Sequence, residues 1–111
     1  MGRFVIAAYK PKQGREQQLL ALVRRHGSVL RAEGLISGKP AHVMRAADGT
    51  LIEVFEWLTE QAAAQAHTNT SVQALWADFA LVCDFPPLAS VPEASRPFSH
   101  YESVLMPDAS V

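Results

Sequence analysis

The sequence predicts an α+β domain built on an antiparallel sheet. Three observations predict it. Short runs of strand-forming residues recur at 3–9, 39–46, 51–57 and 98–105. The intervening stretches 15–33 and 60–83 place apolar residues at helical spacing. An Asp48-Gly49 pair joins the second and third runs, a strong hairpin signal.

Each element has its own warrant. In the first strand, Val5, Ala7 and Tyr9 face one way and Phe4, Ile6 and Ala8 the other. Both faces are apolar, so the strand needs cover on both sides. Pro11 and Gly14 end it. In the first helix Leu19, Leu22, Val23, His26 and Leu30 form one stripe, and Gly34 is placed to cap its end. The second strand starts past Pro40. The third puts Leu51, Glu53, Phe55 and Trp57 on one face. Thr59 is expected to cap a short helix over 60–66, which breaks at His67-Thr68-Asn69. Thr70 and Gln73 have capping-box spacing, predicting a restart at Ser71. Val72, Leu75, Trp76, Phe79, Val82 and Cys83 then form a stripe that Pro86-Pro87 stops. Residues 86–97 read as a Pro-rich surface loop before a fourth strand over 98–105.

The order β-α-β-β-α-β is the ferredoxin-like unit, a four-stranded antiparallel sheet with both helices on one face. One domain over 1–111 suits the length. Helices cover only one sheet face, whereas the strands are apolar on both. A second copy of the sheet is the expected cover, so a homodimer packed sheet on sheet is predicted.

Composition excludes several classes. Net charge is −1 and the ten basic residues are scattered, so no nucleic-acid partner is expected. No apolar run reaches membrane-spanning length, and no signal-peptide pattern opens the chain, so no membrane partner and a cytoplasmic location are the expectation. The single Cys83 rules out an intramolecular disulfide. No two of the four histidines have i, i+4 spacing, and no metal site is expected.

Glu53 lies on an apolar strand face, where an unpaired carboxyl becomes a candidate acid or base; a paired or wet glutamate is the alternative. His26 lies on the helix stripe that must face the sheet. A Glu53–His26 pair would orient the imidazole for proton abstraction, while a packed histidine with one hydrogen bond is the simpler reading. His67 and Asn69, at the helix break, either line a pocket mouth or serve as helix-end residues. Trp57, Trp76 and Phe55 are candidate pocket walls as well as core.

The run Glu53-Val54-Phe55-Glu56-Trp57, followed by Thr59-Glu60, Ala66-His67, Trp76 and Phe79, resembles the antibiotic biosynthesis monooxygenase family. The resemblance implies a dimeric α+β barrel. It further implies an oxygenase acting on a small quinol or phenol with no metal, flavin or other cofactor. Glu53, His26 and His67 are then the candidate catalytic residues, and Trp57, Asn69, Trp76 and Phe55 bind substrate. The phenol-oxidising members carry an asparagine and a tryptophan four residues apart on the third strand; here Trp57 matches and Glu53 replaces the asparagine. Haem-degrading members carry a histidine where Trp76 stands, so haem is disfavoured. Two other readings remain beside the enzyme: a module binding a small apolar or aromatic ligand, and a purely structural dimer.

Overall fold

The computed structural model describes residues 2–104. Its elements are β1 (Arg3–Pro11), α1 (Glu16–Ala32), β2 (His42–Arg45), β3 (Leu51–Trp57), α2 (Ala62–Ala66), α3 (Thr70–Val82), β4 (Cys83–Asp84) and β5 (Glu102–Ser103). The strands form one antiparallel sheet in the order β4-β1-β3-β2-β5. This is an α+β fold compatible with a ferredoxin-like arrangement, with five strands rather than four and the three expected helical stretches. Among the described residues, no helix is long and apolar enough to cross a membrane.

The long central pairing runs from Arg3 opposite Trp57 to Tyr9 opposite Leu51. The inner sheet face meets α1 and α3 in one cluster with Tyr9, Leu19, Val23, Val43, Leu51, Leu75 and Phe79 at its centre. A second cluster, around Leu30, Phe55, Trp57, Ala66 and Val72, continues that core beneath α2. The hairpin after β2 closes where it is expected. Gly49 adopts φ 91°, a value only glycine takes without strain, and the Asp48 side chain accepts from the Thr50 amide.

Four expectations need correction. The fourth strand of the unit is not 98–105. It is β4, whose Cys83 leaves the helix in an extended conformation and pairs with Pro11 while Asp84 pairs with Lys10. The Cys83 side chain still buries against α3, so its position on the apolar stripe carried no sign of the break. Within 98–105, only Glu102–Ser103 form a strand, and they pair with β2 at the opposite edge. The short helix begins at Ala62, and no side chain caps it. The longer helix begins at Thr70, with Asn69 as its cap, so the proposed Thr70 box is displaced by one residue.

The loop over 86–97 is also more than a surface excursion. It contains two 3-10 turns, Leu88–Ser90 and Pro92–Ser95, and it lies on the outer sheet face. Val91 is buried there against Ile52 and Ala46, flanked by Leu88, Ala94 and Tyr101. The chain therefore covers part of its own second apolar face. Phe4 and Ile6, on the same face of β1, stay uncovered, at 59% and 51% exposure.

Candidate functional site

β3 places Glu53 on the inner face, opposite Ala7 on β1 and Val43 on β2. The stripe of α1 lowers His26 onto that face. The two side chains meet: His26 Nδ1 lies 2.8 Å from Glu53 Oε1. Both are buried, at 3% and 1% exposure, so the wet-glutamate alternative does not hold.

Two further groups complete a relay. The Tyr9 hydroxyl donates to Glu53 Oε1 at 2.7 Å, and the Trp76 indole N–H donates to His26 Nε2 at 3.0 Å. An indole N–H can only donate. His26 Nε2 must therefore accept, which leaves the imidazole proton on Nδ1, donated to Glu53. A doubly protonated imidazole would set two N–H groups against each other at Trp76. The relay thus fixes one neutral tautomer of His26. Its rings are wedged edge-on: Phe55 at 5.6 Å and Phe79 at 5.4 Å from the His26 ring.

Tyr9 is the member that sequence reading missed. Its parity was correct, but its link to Glu53 depends on register. Ala7 opposes Glu53, so Tyr9 sits on the diagonal of the same face, within reach of a long side chain. Burial, and then the charge of Glu53, push the Tyr9 hydroxyl well above its ordinary pKa of 10.0. Tyr9 is consequently a donor, not a base. Burial, reinforced by neighbouring Asp84, pushes the Cys83 thiol up to about 11, which suits an inert buried thiol.

The remaining candidates divide. Phe55 and Trp57 pack ring to ring at 5.0 Å within the second cluster, with Phe55 also against His26. Trp76 joins the relay directly. His67 is exposed, and its ring meets Trp76 edge-on at 5.1 Å, so it touches the relay only through the indole. Asn69 is engaged as a cap: it accepts from the Val72 amide and donates to Glu33 Oε1 at 2.7 Å. The helix break therefore brings His67, but not Asn69, to the site. A cavity of about 350 Å³ lies elsewhere, lined by Arg45, Glu93 and His100 among others and by no member of the relay.

Comparison of the chain with protein-family models, curated proteins and solved structures found no match in any of the three.

Proposed function

We propose that the protein is a homodimer of the dimeric α+β barrel type that removes a proton from a small phenol or quinol without metal or flavin. The observation that supports this reading is the Glu53–His26 pair, with Nδ1–H turned to Glu53 and Nε2 left as the basic atom. A neutral imidazole oriented by a carboxylate is an effective general base near physiological pH. In this reading the Trp76 N–H occupies the place that a substrate O–H takes. Trp76 is only half-buried, with the exposed His67 edge-on to its ring, and serves as the door. The substrate anion then reduces dioxygen directly, one oxygen atom entering the ring and the other leaving as water. The choice of a phenolic substrate rests on the resemblance of residues 53–79. The homodimer rests on the uncovered strip of Phe4 and Ile6 beside Val54.

A second reading, a non-catalytic ligand-binding or structural homodimer, is favoured by the burial and full pairing of the relay. Oxygen uptake with a reduced naphthoquinone separates the two. His26→Ala is expected to lower uptake by roughly 10²-fold or more. Trp76→Phe removes the competing donor and is expected to retain or raise it. Equal uptake by wild type, His26→Ala and buffer would leave the second reading.

The dimer has its own check. Sedimentation is expected at twice the 12.1 kDa chain mass, and Ile6→Asp, which charges the uncovered strip, is expected to give monomers. A wild-type monomer at micromolar concentration would remove this part of the proposal.

A further inference from the structure

We infer that Tyr9 is a positioning residue for His26. Through its hydrogen bond to Glu53, it keeps the Glu53–His26 pair in its one-proton form: charged carboxylate, neutral imidazole, Nε2 able to accept. That role presupposes His26 as the general base proposed above.

Packing does not account for the Tyr9 hydroxyl. The Tyr9 ring lies against Phe79 at 5.0 Å and Phe85 at 6.0 Å, contacts that a phenylalanine would make equally well. The hydroxyl is aimed instead at Glu53 Oε1, 2.7 Å away in the core. Burial and the Glu53 charge hold that hydroxyl protonated well past its ordinary pKa of 10.0, so it donates throughout the neutral range.

A carboxylate at 1% exposure keeps its charge where donors replace water. Glu53 has the Tyr9 O–H and the His26 Nδ1–H, and both reach Oε1. A second proton on the pair finds its places contested. Nε2 faces the Trp76 N–H, and Oε1 already receives both donors. Groups coupled over 2.8 Å gain that proton as a pair, so a donor to the carboxylate lowers the proton affinity of both. From the other elements, Val43 of β2 stands opposite Glu53, and Trp76 and Phe79 of α3 stand at His26. His67 meets the indole of Trp76 rather than the imidazole. Cys83 of β4 shares the core cluster with Tyr9, and its thiol, pushed up to about 11, is uncharged at neutral pH.

Long-range proton–nitrogen NMR of the nitrogen-labelled full chain against pH follows the four histidines, with His26→Ala assigning the His26 signals. Wild type is expected to show Nδ1–H and a bare Nε2 at neutral pH. Tyr9→Phe is expected to move the midpoint of His26 protonation up by roughly one pH unit or more. Replacing both tyrosines by ortho-fluorotyrosine, whose hydroxyl is the stronger donor, is expected to move it down; Tyr101 sits on the outer sheet face. Damage to packing does not give opposite shifts. With Glu53→Gln already in place, Tyr9→Phe is expected to leave the midpoint where it was. An unmoved or lowered midpoint in Tyr9→Phe, or a shift that survives Glu53→Gln, would overturn the role of Tyr9. If Tyr9→Phe does not fold, the direction of the fluorotyrosine shift decides. Where oxygen uptake is present, its acid limb is expected to move with the midpoint. Absent uptake removes the base and leaves the midpoints to be read; uptake with unmoved midpoints removes Tyr9 alone.

Discussion

Replacing Glu53 by alanine is expected to destabilise the protein by about 2–6 kcal/mol, the cost of leaving two buried donors without their acceptor. Glu53 Oε1 receives both the Tyr9 hydroxyl and His26 Nδ1–H. The alanine leaves both donors unsatisfied in a core that excludes water, at about 1–3 kcal/mol each. Urea unfolding monitored by circular dichroism measures the loss. Whole domains are stable by only about 5–15 kcal/mol, so the variant keeps little margin. Glu53→Gln retains the shape and one acceptor and is expected to lose less. The most telling comparison is Tyr9→Phe added to Glu53→Ala. The second change removes an orphaned hydroxyl, so the pair is expected to be more stable than the sum of the two single losses. If Glu53→Ala lies within about 1 kcal/mol of wild type, the relay does not hold sheet to helix.

Phe79→Ala is expected to cost a similar amount, about 3–5 kcal/mol, by a different route. Phe79 is fully buried on α3, with its ring 5.0 Å from that of Tyr9 and 5.4 Å from that of His26. Truncation leaves a void beside the relay rather than an orphaned polar atom. The loss in a thermal melt should exceed about 10 °C for a domain of this size. A second readout identifies the cause. Burial is the main reason the Tyr9 hydroxyl resists ionisation. Water admitted by the void should therefore bring its pKa down toward the ordinary value, seen as tyrosinate absorbance at lower pH. A large loss of stability with an unchanged Tyr9 titration would mean that the site collapses to fill the void.

The two variants show why the site was only partly open to sequence reading. Glu53 and His26 were identifiable because each is a polar residue at a position whose periodicity assigns it to the core. Periodicity cannot reveal which polar residues meet, since that depends on register and helix placement. Tyr9 looked like one more apolar strand residue until the β1–β3 register put it diagonal to Glu53. Asn69 and His67 stand two residues apart and were equally suggestive, yet the cap geometry spends Asn69 on the Val72 amide. Glu93 is buried and accepts from the Ala47 amide, yet nothing in the sequence signalled it, because a glutamate between prolines in a loop is ordinarily solvated.

By itself, the sequence determined the third strand to the residue, the Asp48-Gly49 turn, and the apolar stripes of α1 and α3. These follow from local sterics and from the periods of strand and helix, which act over a few residues. Tertiary structure alone decided that Cys83–Asp84 rather than 98–105 extends the sheet beside β1. It also decided that residues 88–101 fold back over Ile52, and that four side chains from four elements join in one relay. Those outcomes depend on contacts between segments distant in the chain. There the competition is among burial, edge pairing and hydrogen-bond satisfaction, and no local pattern encodes which wins.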